Sequence, residues 1–393
     1  MARIVMCWEL GGDLGHVARM KPLAEALHAR GHAVSFIVRE TIGAERLLDP
    51  VKFRWLQAPI QVDPVRPGRL PTLNFTQVLY NCGFHDARAL LGRLRAWRNL
   101  FDALDADVLV FDHSPTALLA ARGHRARRIL LGTGFGVPPM TYPLPAFLAD
   151  TDEAPLKAEE DAVTARINEA LAALGAPAIG HVAELYAADA KVLFTLKELD
   201  HYGARDDVDY WGPTAQDTGL APDWPTQDGR RVFAYLKPFK TLPALLSTLK
   251  QAGHPTLVYL KEADPEVVKE YGSALLRFTT KPVDLRRTVK DAAVVICHSG
   301  HGTVSAALLA GKPLLVLPLN VEQRMLAARV AAGGGGLAAP ALAAQGMAQK
   351  FQRLLAEPAF TAAAGAFAER YRGLDVESSP DRFAALTERL LKS

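Results

Sequence analysis

The feature that most constrains this chain is a repeated pairing of an unbroken apolar run with a glycine-rich turn that opens a helix-forming segment. The clearest copy is Ala292-Ala293-Val294-Val295-Ile296 running into Cys297-His298-Ser299-Gly300-His301-Gly302-Thr303. A strand that is apolar at every position must be covered on both faces, the condition of a parallel sheet between helix layers. A glycine-rich turn at its end aims backbone N–H groups and the positive end of the next helix at one spot, where a phosphate can sit. Tight turns also need glycine for backbone reasons alone, so this turn by itself leaves open a ligand site or a plain connection.

The amino-terminal region repeats the arrangement. Ile4-Val5-Met6-Cys7-Trp8 reads as a strand, followed by Gly11-Gly12-Asp13-Leu14-Gly15-His16, an amphipathic helix from Val17 to Arg30 stopped by Gly31, and a second strand over 33–38. The glycines lack the full G-x-G-x-x-G spacing, and no acidic residue closes the second strand in the position that would hold a ribose, although Glu40 is near; a nicotinamide site is the weaker reading. Val108-Leu109-Val110-Phe111 is another apolar strand, with Asp112 at its carboxyl end and His113-Ser114-Pro115 turning into an alanine-rich helix. Asp112 there reads either as a helix cap or as a carboxylate aimed at a histidine, and His16 either as a locally bonded ring or as a base. Past the later turn, Gly311-Lys312-Pro313 leads to a buried strand, Leu314 to Pro318, and then to Glu322-Gln323. A carboxylate beside an amide can hold adjacent sugar hydroxyls, or simply open a helix through Ala327 and Val330.

With 393 residues, 49% of them hydrophobic, the chain is long enough for two domains that each bury a core. Forty-five basic against 42 acidic residues leave a net charge of +3, and no dense Lys/Arg block stands out, which argues against nucleic acid as a partner. Cys7, Cys82 and Cys297 have neither metal spacing nor a disulfide framework, so a reducing cytoplasm is expected. No export signal is visible and no apolar run approaches the roughly 18 residues of a membrane span. Leu90, Leu91, Leu94, Trp97, Phe101 and Leu104 recur at helical spacing among Arg88, Arg93, Arg95 and Arg98. Core packing is the favoured reading of that helix, contact with lipid or an acidic acceptor the other.

The order His298, small residue, Gly300, any residue, Gly302-Thr303, then Gly311-x-Pro313, Pro318 and an acidic-Gln pair resembles the donor-binding signature of GT-B nucleotide-sugar glycosyltransferases. More narrowly it is similar to the inverting family of macrolide, flavonoid and plant natural-product UDP-glycosyltransferases. Gly15-His16-Val17, Pro22-Leu23-Ala24 and Gly31-His32-Ala33-Val34 resemble the start of the same family. The resemblance implies an α/β fold of two facing Rossmann-like domains with an interdomain cleft. Residues 1–205 would form the acceptor-binding domain, 206–231 a linker containing Trp211-Gly212-Pro213 and Trp224-Pro225, and 232–370 the donor-binding domain; 371–393 would be a terminal helix that can return to the first domain. The proline-rich stretches over 58–84 and 137–145 are expected to be acceptor-side loops.

By the same resemblance, His16 is the general base for the acceptor hydroxyl and Asp112 orients it, with His113 a lesser candidate for either role. Gly15, His113 and Phe135 fall on the acceptor side. His298, Ser299, Gly300, Gly302, Thr303 and Lys237 would hold the diphosphate, Val283 the nucleobase, and Glu322 with Gln323 the sugar. The substrates implied are a UDP- or dTDP-sugar and a small apolar or aromatic alcohol, with no metal and no other cofactor. Three departures stand out: Leu236-Lys237-Pro238 replaces the usual Gly-Ser or Gly-Thr, Ala306 replaces the ribose-binding glutamate, and Leu326 replaces an asparagine. A nucleotide-sugar epimerase of the same fold, or a non-catalytic nucleotide-sugar-binding protein, remains the alternative.

Overall fold

A computed structural model of the protein describes residues 1–12, 15–62, 72–149, 151–214, 219–341 and 346–392. Asp13 and Leu14 of the first turn, and Pro64, Pro67 and Pro71 of the first proline-rich stretch, lie outside these residues. The chain forms two compact units, Met1–Phe194 with Arg205–Trp211 and Val376–Ser393, and Thr195–Ala204 with Gly212–Asp375. Residues 195–204 and 212–231 therefore belong to the second unit, whereas the expected division runs at 205 and 231. The stretch between holds a short strand of the first sheet at Asp209–Tyr210, whose pairing with Val192 and Leu193 draws it to the first unit.

The first unit is built on β1 Arg3–Cys7, β2 Ala33–Val38, β3 Arg54–Gln57, β4 Val108–Asp112, β5 Arg127–Gly132, β6 Ala190–Leu193 and β7 Asp209–Tyr210. Its helices are α1 Gly15–Ala29, α2 Thr41–Leu47, α3 Phe75–Leu79, α4 Ala87–Ala103, α5 Pro115–Ala120 and α6 Glu153–Leu174. In the second unit, β8 Val232–Leu236, β9 Thr256–Leu260, β10 Leu276–Thr279, β11 Val294–Cys297, β12 Leu314–Val316 and β13 Gly336–Ala338 alternate with α7 Leu242–Ala252, α8 Pro265–Tyr271, α9 Leu285–Asp291, α10 His301–Leu309, α11 Val321–Ala332, α12 Met347–Ala356 and α13 Pro358–Arg370. The final helix, α14 Ser379–Lys392, packs on α1 of the first unit.

Both sheets are parallel, in the orders β3-β2-β1-β4-β5-β6-β7 and β10-β9-β8-β11-β12-β13. Each starts at a central strand, winds outward, returns and winds the other way, which leaves a topological switch point beside its first strand. The unbroken apolar runs are explained by what covers them. Val294 and Ile296 join one buried cluster with Leu246 of α7 and Phe351 of α12, while Val295 and Cys297 join another with Val304 of α10 and Leu326 of α11. In α4, Leu90, Leu94, Trp97 and Phe101 are buried, so the stripe is core; Arg93 is drawn in with it and donates to Gly83 O at 2.7 Å.

The stretch from Ala58 to Phe84, expected as an irregular loop, contains α3 and a turn of π-helix at Tyr80–Phe84. The reason is local: Asn74 accepts from Gln77 N and the Gln77 side chain accepts from Asn74 N, a capping box that starts a helix immediately after the prolines. Among the described residues, no helix is long and apolar enough to cross a membrane.

Candidate functional site

The switch point of the first sheet lies between β1 and β4, which run side by side with Cys7 opposite Phe111. Their carboxyl ends therefore deliver the turn before α1 and the residue Asp112 to the same place. His16 Nδ1 stands 3.1 Å from Asp112 Oδ1, and Arg19 Nη1 donates to Asp112 Oδ2 at 2.6 Å. The approach at His16 is at hydrogen-bond distance without hydrogen-bond alignment, a common condition of catalytic pairs before substrate arrives.

Asp112 is 1% exposed. Burial pushes its carboxyl up, but the Arg19 guanidinium and the His16 ring outweigh it and hold it at about 2. Asp112 is not a helix cap. Ser114 occupies the cap position of α5 without its side chain bonding the helix N–H groups, and the carboxylate of Glu9 fills that place, accepting from Thr116 N at 3.1 Å and Ala117 N at 3.0 Å.

His113 takes a left-handed backbone, φ 49°, and its ring lies 5.9 Å from that of His16. Burial first, then the neighbouring His16 ring, push its proton affinity down to about 3, so it stands neutral. Its Nε2 is buried without a hydrogen-bond partner. Phe75 and Phe135 surround it at 6.2 and 6.4 Å between centroids, and Phe147 and Tyr186 extend this aromatic cluster. Gly15 opens α1 one residue before His16.

The second sheet repeats the arrangement at its own switch point, between the carboxyl ends of β8 and β11. His298 is buried, with Nδ1 2.8 Å from Leu317 O and Nε2 3.3 Å from Lys237 O. Both ring nitrogens are turned to carbonyls, so this histidine ties together the turns after β8, β11 and β12. Burial lowers its proton affinity. Ser299 holds φ 60° with its hydroxyl buried and without a hydrogen-bond partner. Gly300 stands at the cap position of α10, which therefore begins without a side-chain cap and with its positive end at the carboxyl side of β11.

Asn320 caps α11, accepting from Gln323 N at 2.9 Å, and the Gln323 side chain turns back so that its Oε1 accepts from Leu319 N at 2.7 Å. This fixes the amide so that Nε2 is the end left over, beside the half-buried Glu322. The main chain on either side of Val283 is taken, because Leu220 N donates to Pro282 O and Asp284 N donates to Leu220 O. Lys237 is exposed, and Ala306 lies half-buried on α10.

Residues 259–370 match the glycosyltransferase family 28 C-terminal domain. The calicheamicin glycosyltransferase CalG4 superimposes with a TM-score of 0.75 at 20% identity, over 100% of this chain and 98% of that one. The fold is that of the GT-B glycosyltransferases. The spinosyn rhamnosyltransferase SpnG, solved with spinosyn aglycone, gives a TM-score of 0.70 at 19% identity over 99% of this chain and all of that one. VinC, solved with dTDP, gives 0.67 at 17% identity over 98% of this chain and 100% of its own. No curated protein sequence matches the chain.

Three residues around His16 and Asp112 escape a reading of the sequence. Trp8 stacks on His16 with centroids 5.2 Å apart and planes 20° apart. Glu9, one residue on, reaches across to α5 and also accepts from Ser114 Oγ at 3.2 Å, which fastens the loop after β1 to the loop after β4. Arg19 sits one helical turn past His16. A lone acidic or basic residue in a turn carries no signal of these contacts; only the adjacency of β1 and β4 creates them.

Proposed function

We propose that the protein is a glycosyltransferase that moves a sugar, with inversion, from a UDP- or dTDP-sugar to a hydroxyl of a small apolar or aromatic acceptor. The observation that carries the reading is the buried Asp112 beside His16 at the carboxyl end of a parallel sheet. His16 takes the acceptor's proton on Nε2 as the oxygen bonds to the anomeric carbon and the bond from that carbon to the diphosphate breaks. Asp112 orients the ring and stabilises its charged form. The negative charge left on the nucleoside diphosphate would be offset by the positive N-terminal end of α10, which has no side-chain cap.

The acceptor class is supported by the aromatic cluster around His113 and by SpnG having been solved with a spinosyn aglycone. The donor class is supported by the solved VinC complex with dTDP. With His298 turned to two carbonyls, its part is to shape the donor loop, and the Ser299 hydroxyl and the α10 N–H groups meet the phosphates. Cys7, Cys82 and Cys297 form no disulfide, which fits a reducing compartment such as the cytoplasm.

His16→Ala tests this. The variant is expected to keep its thermal stabilisation by UDP or dTDP while turnover drops by about 10²- to 10⁴-fold, the range of general acid–base catalysis. Undiminished turnover, or loss of nucleotide binding along with it, would remove His16 from the role.

A further inference from the structure

The geometry points to Arg19 as a positioning residue that acts through Asp112 to keep the His16 ring unprotonated, with Nε2 ready to receive a proton. The inference rests on the reading of His16 as the base. His16 and Arg19 are three residues apart on α1, so both side chains leave the helix on one face. They share one carboxylate, Oδ1 to His16 at 3.1 Å and Oδ2 to Arg19 at 2.6 Å. The Asp112 side chain is 2% exposed, that of Arg19 14% and that of His16 17%, so the three form a line largely shielded from water.

The charge balance gives Arg19 its effect. A buried carboxylate demands a positive partner, because an uncompensated buried charge is costly. With Arg19 in place that demand is met, and His16 can stay neutral beside Asp112. Without Arg19, the partner left within ion-pair distance of the Asp112 carboxylate is His16, 3.1 Å away. The ring would then hold a proton as an ion pair with Asp112 and could not accept one from substrate. Arg19 also occupies Oδ2, which leaves Oδ1 alone for Nδ1–H and fixes the tautomer that frees Nε2.

The other groups around His16 do not replace this charge. His113, on the loop after β4, is neutral through burial. Trp8 stacks on the ring and carries no charge. The Glu9 carboxylate, on the loop after β1, is committed to Thr116 N, Ala117 N and the Ser114 hydroxyl. Arg39, after β2, keeps its charge but spends its nearest contact on the main-chain oxygen of Glu9 at 2.9 Å, and it forms no ion pair with Asp112 among the described residues.

The test is an imidazole NMR titration of the full chain, with the His16 signal assigned by its loss in His16→Gln, alongside the pH dependence of kcat/KM. Arg19→Leu is expected to raise the His16 midpoint by about one pH unit, the lower end of what a neighbouring charge produces, and to move the acid limb of kcat/KM upward with it. Arg19→Lys should leave both near wild type. Identical His16 midpoints in wild type and Arg19→Leu would overturn the proposal. Should Arg19→Leu fail to fold, Arg19→Gln removes the charge with less change of shape and is held to the same result. The titration needs no substrate, so absence of sugar transfer in the wild type would defeat the base assignment while the NMR arm still decided Arg19.

Discussion

His113 gives the sharpest quantitative forecast. Its ordinary proton affinity is 6.5, and burial with neighbouring positive charge brings it to about 3 in the folded chain. As pH falls below 6.5, the unfolded chain takes up a proton here and the folded chain does not, so stability falls with falling pH until about pH 3. Between pH 6.5 and 5 this single ring should lower the unfolding free energy by about 2 kcal/mol. Asp112 does not confound the window. Its folded value of about 2 gives stability that is present above the ordinary carboxylate range and is lost only as pH falls towards 2.

The variant to compare is His113→Asn, since asparagine tolerates the left-handed backbone at φ 49° and cannot titrate. Loss of the ring contacts with Phe75 and Phe135 should cost about 1–2 kcal/mol at every pH. Other buried histidines such as His298 contribute equally to both proteins. Urea midpoints measured from pH 7 to pH 5 are therefore expected to start with the variant weaker and to converge or cross as pH falls. A gap that stays constant within about 0.5 kcal/mol across that range would show that His113 titrates in the folded chain and would refute the reasoning.

Glu9→Ala strips partners from two buried N–H groups and from the Ser114 hydroxyl, and is expected to cost about 2–3 kcal/mol, seen as a melting point lowered by about 5 °C or more. Gly11 has φ 84°, and a Cβ there would lie 2.7 Å from His16 Nε2, so Gly11→Ala should lower kcat while leaving nucleotide affinity unchanged in a titration calorimeter. Burial raises the Cys297 thiol to about 12 and also raises that of the buried Cys7, whereas Cys82 is only half-buried. A thiol reagent at pH 8 is expected to modify Cys82 in the folded chain and all three cysteines in urea.

The architecture was legible because unbroken apolar runs such as Val294–Cys297 can only be sheet covered on both faces, and the glycine-rich turns mark where those strands end. The same logic located Asp112 and His16 at strand ends. It could not join them, because the approach of the two depends on β1 lying against β4, a pairing between segments about a hundred residues apart. Arg19 and Glu9 were invisible for that reason. Asn74 and Gln77 hid for a different one: a two-residue capping box after a run of prolines is a weak local signal against a strongly loop-forming composition. His298 shows a third limit, since the identity of a residue in a motif does not say which way its ring nitrogens turn.

The assembly of the first unit from three separate lengths of chain bears on the order in which the protein is made. Phe383 and Ala384, both fully buried, and Leu386 complete the hydrophobic cluster around Val17, Met20 and Leu27 of α1. The ribosome has therefore finished the whole of residues 212–375 before the segment that closes the first-made unit emerges. The unit begun first is the one finished last, and during that interval its α1 face stands open to water and to folding helpers.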